Sequence, residues 1–217
     1  MNSIPRRPAA SLITLLLLCT PGVVHAESFA LGVRAGTTGL GLEGTWGLSE
    51  VLNLRLGYYA FDYSTDLDEE GIEYDGELGL RNAALFVDWH PFQGGFRVST
   101  GALQSGNDFR GTADGELEVG DDTYVGEVEA KLSWSGTAPY LGIGYGNAVR
   151  GSRLSLALDL GLMFTGSPSV RIDGTVDNPA LEDAFREDLE RERADLQEEM
   201  SDARYFPVVS VGVSYRF

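Results

Sequence analysis

The 217 residues carry 16 basic and 33 acidic side chains, a formal charge of −17, with 28 glycines and one cysteine, Cys19. That balance excludes nucleic acid as a partner, because phosphate recognition needs a basic face. A lone cysteine excludes a zinc ribbon and a disulfide framework, and the length suits one domain or two small ones.

Residues 1–26 read as a secretory signal peptide. Arg6 and Arg7 form the charged start, Ser11 to Leu18 the apolar run, and Val24-His25-Ala26 the small-residue cleavage site. The run is too short for a membrane helix. Leu18 stands before Cys19 where a lipoprotein signal needs a small residue. Cleavage after Ala26 removes two Arg and no acid, so the mature domain, 27–217, carries −19 and no cysteine.

From there the chain alternates with period two, the signature of strands that have one apolar face. Phe29, Leu31, Val33 and Ala35 alternate with Ala30, Gly32, Arg34 and Gly36. The pattern returns at Leu40–Leu48, Leu52–Tyr59, Leu85–His90, Phe96–Ala102, Leu141–Gly146, Leu154–Phe164 and Val209–Phe217. Near Arg81–Asn82 the phase slips, with Leu78 and Leu80 on the other parity, which predicts a bulge. These eight strands are joined by short links at 48–52, 91–95 and 149–153 and by long loops at about 64–76, 106–136 and 166–206. Only Thr37-Thr38 breaks the alternation of short and long. This is the layout of an eight-stranded antiparallel up-and-down transmembrane barrel, with short periplasmic turns and long outer loops.

A soluble sandwich also has one apolar face per strand, but its other face carries long polar residues and its loops are of similar length at both ends. Here the other face is glycine and alanine with a few charges. The long loops hold 26 acids and 7 bases, which sum to the whole charge of the mature chain. No Lys or Arg falls on the face proposed for lipid. Trp46, Trp89, Phe96, Tyr215 and Phe217 cluster at periplasmic strand ends as an aromatic girdle.

The terminal Val211-Gly212-Val213-Ser214-Tyr215-Arg216-Phe217 resembles the assembly signal of small eight-stranded Gram-negative outer-membrane proteins, the class of the outer-membrane protein A barrel and opacity-type antigens. Asp88-Trp89-His90-Pro91-Phe92, Ala138-Pro139-Tyr140-Leu141-Gly142 and Tyr205-Phe206-Pro207-Val208-Val209-Ser210 resemble an uncharacterised proteobacterial outer-membrane family. The resemblance implies a location in the outer membrane of a Gram-negative bacterium, contact with lipid and lipopolysaccharide, and assembly by the barrel-assembly machinery through Tyr215 and Phe217. It supplies no catalytic residue.

An eight-stranded interior is filled by side chains. Arg34, Glu43, Arg55, Asp88, Arg97, Asp159 and Arg216 share the inward parity, and buried charges must pair. The expectation is an ion-pair network that plugs the lumen, with Arg34 beside Glu43 and Arg55 beside Asp88. Inward Gly32, Gly41, Gly57, Gly101, Gly142, Gly144 and Gly161 leave a narrow cation-preferring channel as the alternative. His90, beside Asp88 at the periplasmic end, is in the wrong place to serve as a surface base, so no enzyme is expected.

In the first loop, Asp66, Asp68, Glu70, Gly71 and Glu77 fall at positions one, three, five, six and twelve of a calcium loop. Glu replaces the usual residue at position five, and strands flank the segment in place of helices. Surface divalent-cation binding is therefore the third reading, beside a solvated acidic loop that needs no cofactor. Glu116–Val119 and Thr123–Val125 flank Gly120-Asp121-Asp122 as a small hairpin. In the last loop Asn178 and Pro179 start an acidic helix over about 179–203, with Leu181, Phe185, Leu189, Leu196, Met200 and Ala203 as its apolar stripe. It is expected to pack on its own loops, with a lid or a projecting arm as alternatives. The composite expectation is a monomer with a structural or surface-interaction role.

Overall fold

The computed structural model describes residues 28–69, 72–120 and 122–217; residues 1–27, with the expected signal peptide, lie outside these, as do Glu70, Gly71 and Asp121. Nine strands are present among the described residues: β1 Phe29–Gly36, β2 Gly39–Gly47, β3 Leu52–Glu69, β4 Ile72–Trp89, β5 Phe96–Val119, β6 Asp122–Tyr145, β7 Leu154–Phe164, β8 Ser169–Val176 and β9 Tyr205–Arg216. One helix, α1, runs Glu182–Glu199 between short 3₁₀ turns. All pairings are antiparallel.

Eight strands pair in a cycle. β1 to β6 each pair with the next, β7 pairs with β9, and β9 returns to β1. No strand of the cycle keeps a free edge at that level, which satisfies backbone polar groups without solvent. β8 stands outside the cycle. It pairs with β6 over Gly126–Ser133, beyond the stretch Tyr140–Tyr145 that pairs with β7.

The strands have unequal lengths. β1, β2, β7 and β9 run 8, 9, 11 and 12 residues. β3 and β4 run 18 each, and β5 and β6 run 24 each. The four long strands therefore rise past the rim on one side, and β8 extends them into a five-stranded outer sheet. The segments expected as loops 64–76 and 106–136 are the upper halves of these two hairpins. β8 is a further correction to the expected eight strands: Val170-Arg171-Ile172-Asp173 falls within the span expected as the last long loop.

The phase slip at Arg81–Asn82 is not a bulge. The β3–β4 ladder keeps one register from Leu52 opposite Trp89 to Glu69 opposite Ile72, with no extra residue. What changes is the surroundings. Below this level the outward side chains, such as Leu56, Leu85 and Val87, are apolar and exposed, while the inward ones are buried. Above it Asp62 and Arg81 occupy the outward parity and form an exposed ion pair at 2.7 Å. The inward parity then becomes apolar, with Leu78 and Leu80. The β4–β5 ladder is interrupted here, and Asn107 Oδ1 accepts the Arg81 backbone N–H at 3.1 Å.

Candidate functional site

The lumen is filled in layers. At the end with the short turns, Ala30 packs with Ala148 and Val149 of the turn after β6. Arg216, expected in the ion-pair network, instead staples this turn. Its guanidinium donates to Val149 O at 3.2 Å and Gly151 O at 2.8 Å. Sequence parity gives its direction but not the infolding of the turn that takes its donors. His90 is buried, with Nε2 3.1 Å from Asn53 Nδ2 and Nδ1 3.0 Å from Gly94 O. Both ring nitrogens are engaged by neighbouring polar groups, the arrangement of a structural imidazole.

The next layer is charged. Arg34 reaches Glu43 at 2.7 Å and Asp159 at 2.6 Å. Arg55 reaches Glu43 at 3.1 Å, Asp88 at 3.0 Å and Asp159 at 3.4 Å. Arg97 lies 2.6 Å from Asp159 and 3.9 Å from Asp88, and also donates to Gly146 O. Three guanidinium groups thus meet three carboxylates, all six buried. Period-two alternation delivers them: every one sits on the inward parity of its strand, so six residues spread over 126 positions share one space. Further hydroxyl members were not expected, among them Ser210, whose Oγ donates to Asp159 Oδ2 at 3.4 Å. Tyr59 OH donates to Glu43 Oε1, and Ser99 Oγ donates to Asp88 Oδ1 at 2.5 Å. They use acceptor capacity that would otherwise be left unpaired, which is costly for a buried charge.

Above the charges lies an apolar layer of Tyr59, Ala84, Phe86, Leu103, Ala138, Tyr140, Met163 and Val208. The Arg55 guanidinium stands 4.7 Å from the Phe86 ring centre, and Phe86 meets Tyr140 edge-on at 4.9 Å. The lumen glycines make room for these rings. A Cβ at Gly161 would lie 2.6 Å from the Tyr140 ring, and one at Gly57 would lie 2.5 Å from the Tyr59 hydroxyl. Of the glycines that left a channel open in the sequence, Gly41 and Gly57 are covered by Tyr59 and Gly142 and Gly161 by Tyr140, while Gly32 faces Ser214 and Gly144 faces Arg97 and Asp159. The void between the two layers is about 10 Å³, at the lower limit for one water.

Beyond the rim, α1 packs on the inward face of the outer sheet. Phe185 and Leu189 join Leu117, Val119 and Tyr124, with Val128, Ile172 and Val176 beside them. Asn178 caps the 3₁₀ turn Pro179–Leu181 that leads into α1 by accepting from Ala180 N at 3.1 Å. Tyr124 OH donates to buried Asp188 at 2.5 Å, and Arg191 pairs with the same carboxylate. This hydrogen bond to Asp188, with partial desolvation, pushes the Tyr124 phenol up to about 12. The expected stripe is thus partly used: Phe185 and Leu189 are buried, whereas Leu181 is exposed.

The calcium-loop positions are dispersed on a hairpin. Asp66 and Asp68 stand on β3, Glu77 on β4 opposite Ser64, and Glu70 lies outside the described residues. Asp66 instead faces Asp75, whose carboxyl is raised by desolvation, by a hydrogen bond to Asp66 and by the charges of Asp66 and Glu77. Among the described residues no group of three His, Cys, Asp or Glu is arranged to hold a metal ion. Tyr215 and Phe217, expected as an assembly signal, meet edge-on at 5.2 Å at the turn end, and Phe217 also stacks 6.1 Å from Phe29.

No protein-family model matches the chain, and no curated protein matches its sequence. Solved structures do resemble it. The crystal structure of Acinetobacter baumannii CarO2 superposes with a TM-score of 0.62 at 22% identity, covering 88% of this chain and 98% of that one. Acinetobacter baumannii CarO gives 0.61 at 23% identity, covering 87% and 97%. A major outer membrane protein from Thermus thermophilus gives 0.44 at 16% identity, covering 88% and 99%. The likeness to the two Acinetobacter structures shows a shared fold over nearly the whole of both chains.

Proposed function

We propose that this chain is an outer-membrane β-barrel with a plugged lumen, whose role is structural and surface-binding and not transport. The observation that carries this reading is the stacking of a charge-balanced six-residue network beneath an aromatic layer, inside a ring whose outer surface is apolar. Leu31, Leu42, Leu141, Leu156 and Val211 belong to that exposed belt on five different strands. An apolar belt this extensive is stable only against lipid. A cycle of strands is the one β arrangement that spans hydrocarbon without unpaired backbone. The expected Gram-negative outer-membrane location, with lipid and lipopolysaccharide around the belt and the terminal aromatics read by the assembly machinery, is part of the same proposal. The long ribbons and α1 then stand outside the cell.

The test uses the absence of cysteine from residues 27–217. Val125→Cys, near the tip of the β5–β6 ribbon, is expected to react with a membrane-impermeant maleimide on intact cells. Ser152→Cys, in a short turn, is expected to react only after the outer membrane is permeabilised. Equal labelling of both on intact cells, or the reverse pattern, would overturn the proposal.

A further inference from the structure

The inward face of the outer sheet is apolar across all five strands, yet α1 covers only part of it. One rung runs Tyr63, Leu78, Phe109, Leu132 and Val170 from β3 to β8, each opposite the next. At strand spacing the five strands span about 19 Å, whereas a helix with its side chains is about 10 Å wide. α1 lies over β8 and the outer ends of β5 and β6. On the β3–β5 side, Phe61, Tyr63, Leu67, Tyr74 and Phe109 remain between 39% and 63% exposed. They lie above the Asp62–Arg81 level, so lipid does not cover them.

Between α1 and this sheet runs a groove of about 640 Å³. Its floor is apolar, with Ile72, Ala113 and Leu117 from the sheet and Leu189 and Leu196 from α1. Among the described residues no basic side chain lines it; Glu192 of α1 supplies its charge, whereas Glu116 and Glu118, also at its border, alternate with buried Leu117 and Val119 and point to the other face of the sheet. The neighbouring helix adds nine acids against three Arg over its 18 residues. The vacant strip is one helix wide, apolar below and acidic along its α1 edge.

We propose that this strip binds a basic amphipathic helix of a partner protein, laid beside α1 at ordinary helix spacing. The partner's apolar face would cover Tyr63, Tyr74 and Phe109, and its Lys or Arg residues would face Glu192 and Glu199, which stand seven apart on one face of α1. This rests on the reading that the ribbons stand outside the membrane. It accounts for two features the barrel itself does not require: strands twice as long as the membrane needs, and a stabilising helix that stops short of the sheet edge. Helix-in-groove recognition combines these two forces, apolar anchoring and charge steering.

The test uses the full mature chain in phosphatidylcholine nanodiscs and a fluorescent 18-residue Leu/Lys amphipathic peptide, read by anisotropy against empty discs. Saturable binding in the micromolar range is expected. A scrambled peptide of the same composition, or the Tyr63→Ser/Tyr74→Ser variant, should weaken it at least tenfold. Glu192→Gln/Glu199→Gln should flatten its salt dependence. Equal binding of the scrambled peptide, equal binding by empty discs, or an unchanged affinity in the tyrosine variant would overturn the proposal. So would a doubled particle mass without peptide, which would mean that a second copy covers the face. Gel migration that shifts on heating verifies the barrel in each sample. A heat-shifting protein that binds nothing sinks the docking site alone, whereas loss of the shift in the wild type sinks the barrel reading.

Discussion

Arg34 on β1 and Asp159 on β7 are joined at 2.6 Å although β9 lies between their strands. The contact therefore crosses the lumen instead of following the sheet. Asp159 also holds Arg97 at 2.6 Å and Arg55 at 3.4 Å, so one carboxylate ties together β1, β3, β5 and β7. Removing one partner of a buried pair leaves the others uncompensated, at a cost of about 3–5 kcal/mol. Asp159→Ala is expected to lower the free energy of urea unfolding of the refolded protein by that amount. A change below about 1 kcal/mol would mean that the network is solvated.

Tyr140 lies over Gly142 and Gly161, and this fixes the sign of a second substitution. Strand propensity alone favours valine over glycine. The Cβ contact of 2.6 Å at Gly161 says the opposite, because the ring has no room to retreat into a packed layer. Gly161→Val is expected to destabilise by about 1–3 kcal/mol, the usual range for overpacking. Measured stabilisation would show that the aromatic layer is loose.

Docking of α1 is expected to depend on alkaline pH through Tyr124. Its folded value of about 12 lies above the unfolded value of 10.0. The hydrogen bond to Asp188 therefore contributes fully below pH 10.0 and is lost as pH rises through about 12. The helical circular-dichroism signal should fall across that window. Tyr124→Phe should remove both this step and one late-titrating phenolate in absorbance at 295 nm.

The outer belt and the outer sheet predict opposite responses to charge. Leu156, 71% exposed on β7, belongs to the belt proposed to face lipid, and Leu156→Arg is expected to cost about 2–4 kcal/mol in a bilayer. Tyr63→Arg, above the rim, is expected to stay within about 0.5 kcal/mol. Equal effects in unfolding titrations from lipid vesicles would place the membrane boundary elsewhere.

Much of this was legible because period two is a strong signal. Residues two apart share a face, so the inward set Arg34, Glu43, Arg55, Asp88, Arg97 and Asp159 follows from counting, and neighbouring strands bring Arg34 near Glu43. The upper ribbons were not legible in the same way. Above Arg81 the ladder continues, but on the proposed reading water replaces lipid outside and the apolar parity inverts, so Leu78 and Leu80 read as a phase slip. β8 is a short mixed segment that becomes a strand only because β6 offers it an edge beyond β7. Tyr59 and Tyr140 have the right parity in the sequence, but their positions over glycines depend on ring orientation across strands. Arg216 shows the converse: right parity, with donors captured by a turn.

The most direct test of the plugged lumen is single-channel recording of the refolded, heat-shifting protein in a planar bilayer, with and without millimolar calcium. The stacked charged and aromatic layers predict silence in both conditions at any voltage that leaves the protein folded. Reproducible cation-selective steps from the wild type would contradict that account, and steps blocked by calcium would place the gate at the acidic ribbon around Asp66, Asp75 and Glu77.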